Sequence, residues 1–278
     1  MSPTAIALTL LAAVLHATWN ALLRSSSDRL WSVTVMSFAT TLAAVPFALL
    51  LPVPAVQSWT YLGISAVLQV AYIILLAHAY RSGELAQVYP VVRGSVPLLV
   101  TIGGFVLAGQ RVGSAGLLGI GLISLGIVSL AFGRLRAEAK TLTLGLLTAL
   151  LVASYVTADG IGVRLSGNPQ AFAAWIFLIY GALLPATFLL LRGRLTVKLR
   201  APETVKALAG GSFSFVSYGV IIAVLAVSKL GPVSALRETS IVFAALLGHF
   251  VLGERLTRRR VLVCLAITLG AVCIAFAP

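Results

Sequence analysis

Charge is what this chain has least of. Only 10% of its 278 residues are Asp, Glu, Lys or Arg, and 60% are hydrophobic. A soluble domain carries about 25% charged residues and roughly 45–50% apolar ones. Mean hydropathy is +1.07. These values exclude a disordered chain, a coiled coil and an ordinary soluble globule. Acidic residues are scarcest: 7 Asp+Glu face 20 Lys+Arg, for a formal net charge of +13. In a soluble protein that imbalance points to nucleic acid. Here the cations sit in short breaks between long apolar runs, so the expected partner is the lipid bilayer and not nucleic acid. Cysteine is nearly absent. Cys264 and Cys273 lie nine residues apart on one apolar run, roughly 13 Å along a helix, which is too far for a disulfide. The three histidines, His16, His78 and His249, have no metal-ligand spacing. Neither a metal nor a cofactor is expected.

What the chain does have is long apolar runs. A membrane-spanning helix takes about 20 of these residues. Ten such spans are expected, at 3–23, 31–51, 58–80, 85–108, 113–132, 142–163, 170–191, 204–228, 231–252 and 259–277. They are separated by polar or turn-forming groups such as Ser25-Ser26-Ser27-Asp28, Arg81-Ser82-Gly83-Glu84 and Ser166-Gly167-Asn168-Pro169. No length is left for a soluble domain. The short alternating segments of a β-barrel are missing. The first run has no basic leader and contains His16, Trp19 and Asn20, so it reads as a span and not as a signal peptide.

The cations sort by face. Loops after odd-numbered spans hold 15 Lys+Arg and loops after even-numbered spans hold 3, namely Arg111, Arg164 and Lys229. Basic residues in short loops stay cytoplasmic, which puts the odd loops in the cytoplasm and both termini outside.

The two halves resemble each other. A shift of 144 residues aligns Arg93–Phe132 with Arg237–Phe276 without a gap, with eleven of 40 pairs identical. These include Arg93/Arg237, Gly109/Gly253, Arg111/Arg255 and Gly126/Gly270. Spans one and six align at a shift of 136, pairing Trp19 with Tyr155. Five spans per half is an odd number, so the second copy enters the membrane upside down. The expected organisation is an all-α integral membrane protein: ten helices as two inverted repeats, 1–138 and 139–278, around a central cavity. Inverted repeats characterise secondary transporters, whose substrate site lies near the midplane between the halves.

The shared Gly109-Gln110-Arg111 and Gly253-Glu254-Arg255 turns resemble those of the drug/metabolite transporter superfamily. So do the stretch Ala12–Asn20 and the run Phe243–Gly248 leading to Gly253-Glu254-Arg255-Leu256. The resemblance is to the EamA-type members and covers the whole chain. It implies a ten-helix basket in a bacterial inner membrane that exports small metabolites without being an enzyme. Bacterial amino-acid exporters of the superfamily are the nearest analogy, with export of drugs or other metabolites as the alternative. Small relatives in the superfamily carry an acidic residue in the first span. This chain has none there, which leaves the coupling ion open.

Polar and aromatic side chains recur at helical spacing on six spans. The candidates for a substrate cavity are His16, Trp19 and Asn20 on span one, Gln69 and Tyr72 on span three, and Tyr89 and Arg93 on span four. Span six adds Tyr155 and Asp159, span eight Ser217 and Tyr218, and span nine Arg237 and Glu238. Lipid offers these groups no partners, so their faces turn inward. Spans two, five, seven and ten carry mainly hydroxyls, which bond their own backbone, and are expected outside the cavity wall. Two readings stand for Arg93 and Arg237: capture of an anionic substrate group, or ion pairing with Asp159 or Glu238. Glu238 adjoins Arg237 in sequence, which favours a different neighbour. Asp159 and Glu238 are the carboxylates placed to carry a coupling proton, although Asp159 is read as near a solvated span end. Pro90 and Pro97 are expected to interrupt span four, and Pro46 and Pro185 to act as hinges in spans two and seven. The glycines of span five allow close packing, within the fold or across a dimer; both remain open, and a monomer is compatible with the sequence.

An intramembrane enzyme lacks support, since no HExxH motif and no Ser/His/Asp cluster is present. A channel would call for a ring of like charges or oligomeric symmetry.

Overall fold

The computed structural model describes residues 1–26, 28–81, 85–133, 139–253 and 256–277. The loop groups Ser82-Gly83-Glu84, Arg134, Arg136, Glu254 and Arg255, and the repeat boundary at residue 138, lie outside the described residues. So do the side chains of Arg24, His78, Arg81 and Lys140. Every regular element among the described residues is helical. In order they are α1 (Pro3–Arg24), α2 (Arg29–Leu50), α3 (Trp59–Arg81), α4 (Leu85–Ala108), α5 (Ser114–Ser129), α6 (Ala139–Leu165), α7 (Pro169–Arg192), α8 (Pro202–Val227), α9 (Leu230–Arg237), α10 (Ser240–Leu252) and α11 (Arg258–Ala275).

Local chemistry sets where the helices start. Ser2 caps α1 by accepting from the Ala5 N–H at 3.2 Å, with Pro3 in the first turn. Asp28 accepts from Trp31 N at 3.1 Å, and Asn168 from Ala171 N at 3.0 Å ahead of Pro169. Such caps satisfy amides that have no partner inside the helix. The repeated turn is repeated in conformation as well: Gly109 and Gly253 both have positive φ, 62° and 68°, a region that glycine enters without strain.

Eight described helical segments are long and apolar enough to cross a membrane, with α9 and α10 together making one of them. The other two spans are α5, prolonged by a 3-10 turn over Leu130–Gly133, and α11, which begins with Arg258-Arg259-Arg260. The bundle is built inside out relative to a soluble protein. Leu42, Leu50, Leu190 and Phe250 are exposed by 75–87%, while Thr9, Ser65, Ser124 and Thr148 are fully buried. Many of the buried hydroxyls bond the preceding turn, as in Thr9 to Ala5 O and Thr148 to Leu144 O, both 2.7 Å. The apolar exterior is the face a bilayer solvates.

Packing follows the repeat. α1 packs on α8 as α3 packs on α6; α2 packs on α8 as α3 packs on α7; α4 packs on α6 as α9 and α10 pack on α1. Each pair becomes its mate when spans one to five are exchanged for spans six to ten. Two further pairs, α2–α7 and α5–α11, map onto themselves and are extensive. α5 and α11 meet backbone to backbone: a Cβ on Gly119 would lie 2.5 Å from Gly270 O, and one on Gly270 would lie 2.6 Å from Gly119 O. These glycines therefore serve a contact inside the fold.

One expectation needs correction. Span four is not interrupted: α4 runs unbroken through Pro90 and Pro97. The break falls in span nine, at Glu238-Thr239, where Glu238 N bonds Ala235 O and Thr239 N bonds Leu236 O. The i→i−4 ladder tightens there to i→i−3 bonds. α2 and α7 likewise continue through Pro46 and Pro185.

Candidate functional site

A central cavity of about 150 Å³ lies between the halves. Ten of the thirteen sequence candidates line it: His16, Trp19, Asn20, Gln69, Tyr72, Tyr89, Arg93, Tyr155, Tyr218 and Arg237. The wall is wider than expected. α2 contributes Met36 and Ser37, and α7 contributes Phe177 and Tyr180. A tyrosine deep in span seven was the available signal for Tyr180. Lining residues at the end of α1 and the start of α2, such as Leu23, Arg29 and Leu30, open the cavity toward the odd loops, here called the basic face. The opposite end is stoppered by Leu62, Val100, Phe172, Leu225 and Leu230, all buried.

The two in-span arginines meet at one imidazole. Arg93 Nη2 lies 3.1 Å from His16 Nε2, and Arg237 Nη2 lies 3.2 Å from His16 Nδ1. A neutral imidazole offers one acceptor nitrogen and a protonated one offers none, while a guanidinium only donates. In either state at least one guanidinium N–H toward His16 lacks an acceptor. The other surroundings of the two arginines differ. Arg93 pairs with Glu238, Nε to Oε2 at 2.9 Å, and donates to Ser240 Oγ at 3.1 Å. Arg237 has no carboxylate within 4.0 Å among the described residues. Its Nε is buried without a hydrogen-bond partner, and its guanidinium lies 5.6 Å from the centre of the Tyr218 ring. The pairing of Glu238 with Arg93 crosses the repeat boundary, as its adjacency to Arg237 suggested.

The remaining three candidates stand behind the wall. Ser217 is a packing residue whose hydroxyl donates to Ala12 O at 2.8 Å, joining α8 to α1. Glu238 is buried beneath Arg93. Asp159 is fully buried and not at a solvated end. It accepts from the Tyr218 hydroxyl, while Ser65 on α3 accepts from Gln69 Nε2 at 3.0 Å. The sequence could not show this burial because it depends on α3 and α8 closing over α6.

The amides of the wall are oriented by their own bonds. Asn20 Nδ2 donates to His16 O at 2.8 Å, leaving Oδ1 as an acceptor. Gln69 Nε2 is engaged with Ser65, leaving Oε1. Trp19 meets His16 edge to face at 4.9 Å, and Tyr72 and Tyr155 lie 6.2 Å apart. The other tryptophans hold the ends of the bundle: Trp31 Nε1 donates to Thr196 O at 3.0 Å, and Trp59 packs on Trp175 at 4.9 Å. His249 packs on Phe250 at 4.9 Å, away from the cavity. Among the described residues no three His, Cys, Asp or Glu side chains gather as a metal site.

An apolar-sided helical basket around a charged aromatic cavity, open to one face, defines a multi-pass membrane transporter of small molecules. Residues 139–276 match the EamA-like transporter family. The chain belongs to that family, within the drug/metabolite transporter superfamily. One solved crystal structure superposes with a TM-score of 0.77 over 99% of this chain and 97% of that one, at 19% identity. At that identity the likeness concerns the fold. No curated protein sequence matches the chain.

Proposed function

We propose that this transporter exports amino acids by alternating access, with Arg237 receiving the substrate carboxylate. One observation carries this: Arg237 is an in-span guanidinium facing the cavity, with no carboxylate within 4.0 Å among the described residues. Its repeat mate Arg93 is already neutralised by Glu238. A carboxylate between Arg237 and His16 would give the unmatched N–H groups an acceptor through charge-assisted bonds. The free oxygens of Asn20 and Gln69 can accept from an ammonium, and the rings of Trp19, Tyr72 and Tyr155 can face it. Repeats over 1–138 and 139–278 account for the exchanged packing, and the family match to 139–276 supports the second of them. Asp159 and Glu238 are the carboxylates available to carry a coupling proton.

Liposomes loaded with labelled amino acids test the proposal. Saturable efflux that is lost in Arg237→Ala protein of unchanged elution profile supports it. Flux equal to empty liposomes across all amino acids, with flux of an organic cation or neutral drug instead, moves the assignment to drug export. An imposed pH gradient that leaves efflux unchanged removes the proton. The positive-inside count puts both termini outside, in a bacterial inner membrane. A C-terminal reporter active only in the cytoplasm should then stay dark, and a bright fusion reverses the orientation.

A further inference from the structure

A second cavity, of about 440 Å³, lies at the seam of α1 with α4, α10 and α11 on the basic-face half. It shares His16, Asn20 and Tyr89 with the central site. The repeat shifts map five of its residues, His16, Asn20, Tyr89, Pro90 and Ser240, onto Val152, Val156, Val233, Ser234 and Val96. All five mates line a remnant of only about 20 Å³ on the opposite half. The same seam thus occurs twice in one molecule, once open and once closed.

The closed copy shows what closure requires. Gly103 of α4 sits against Thr157 of α6: a Cβ on Gly103 would lie 3.4 Å from the Thr157 Cβ. The shifts of 144 and 136 carry Gly103 to Leu247 and Thr157 to Ala21. Both Leu247 and Ala21 line the open cavity. Each pair joins one small side chain to a larger one, so the two seams can close to similar depth.

We infer that Ala21 and Leu247 are the basic-face gate of the substrate path, closing against each other in the state in which Gly103 and Thr157 part. This rests on the transporter reading and the inverted repeat, but not on the identity of the substrate. The 3.4 Å Cβ separation lies at the near edge of disulfide range. In a Cys264→Ser, Cys273→Ser background, Gly103→Cys/Thr157→Cys and Ala21→Cys/Leu247→Cys should each cross-link under mild oxidant in membranes, read as a gel shift. With Gly103 and Thr157 bonded, a third cysteine at Ala244 in the cavity wall should stay reactive to a thiol reagent on the basic side. With Ala21 and Leu247 bonded, that labelling should slow at least tenfold and recover on reduction. A Gly103/Thr157 cross-link without an Ala21/Leu247 one, or labelling of Ala244→Cys unaffected by either bond, overturns the gate. If the Ala21/Leu247 variant does not elute as a folded species, Asn20→Cys/Ala244→Cys decides by the same gel shift. That pair is the mate of buried Val156 and Val100. Because the gel shift needs no substrate, absent amino-acid flux beside normal cross-linking rejects the proposed substrate and leaves the gate standing.

Discussion

The fourth and ninth spans descend from the same repeat position, yet they are built differently. α4 carries two prolines and stays whole; the ninth span carries none at its break and divides into α9 and α10. A proline removes one amide donor and leaves the carbonyl four residues back without it, yet α4 runs on past both prolines. The ninth span turns where the Glu238 side chain reaches Arg93. The repeat mate of Glu238 is Gly94, pressed so tightly on α5 that an added Cβ would lie 2.5 Å from Val128 Cγ2 and 2.7 Å from Ser124 O. Duplication supplied two in-span arginines, but only one of the two following positions has room for a carboxylate. That single difference makes Arg93 half of an ion pair and leaves Arg237 with no carboxylate within 4.0 Å among the described residues.

The comparison is most easily broken at Glu238. Glu238→Gln leaves the half-buried Arg93 without its buried counter-ion, and removing one partner of a buried pair costs about 3–5 kcal/mol. The unfolding midpoint in detergent should fall steeply, and an unchanged midpoint would show that the pair is not structural. Next in size is Arg237→Ala. It should leave the midpoint within a few degrees and weaken substrate binding by roughly 10–150-fold, the equivalent of about 1.5–3 kcal/mol for a charge-assisted bond. Binding calorimetry on wild type, Arg237→Ala and Arg93→Ala separates the two arginines, since Arg93→Ala should lower stability as well. Gly94→Ala tests the packing half of the argument: overpacking should cost about 1–3 kcal/mol in a chemical-denaturation series. The smallest effect belongs to Asp28→Asn. The Asp28–Arg192 pair is 41% and 31% exposed, asparagine keeps the cap on α2, and the loss should stay under about 1 kcal/mol. A loss as large as that of Glu238→Gln would erase the distinction between buried and exposed pairs.

Much of the scaffold could be read from the chain. Apolar runs marked the helices to within a few residues, as for 85–108 against α4, because a lipid-spanning segment must satisfy its backbone within itself. The Gly109 and Gly253 turns could be read because few residues enter positive φ. The polar stripes found ten cavity residues, since intramembrane polar groups have no outward partner. Ser217 followed the same stripe and proved to be a helix–helix bond, because helical spacing gives a face and not a neighbour. Tyr180 was missed because one tyrosine makes no stripe, and Ser37 because the hydroxyls of span two were read as bonding their own backbone, as Ser37 does with Thr34 O at 2.7 Å.

By itself, the sequence determined the membrane setting, the number of spans, the repeat and the two in-span arginines, all consequences of solvation and local periodicity. Tertiary structure decided which arginine is neutralised, where the ninth span bends, and which of two equivalent seams stands open. Those outcomes depend on distances between residues up to 221 positions apart, as in the His16–Arg237 contact, and one-dimensional spacing carries no such distance.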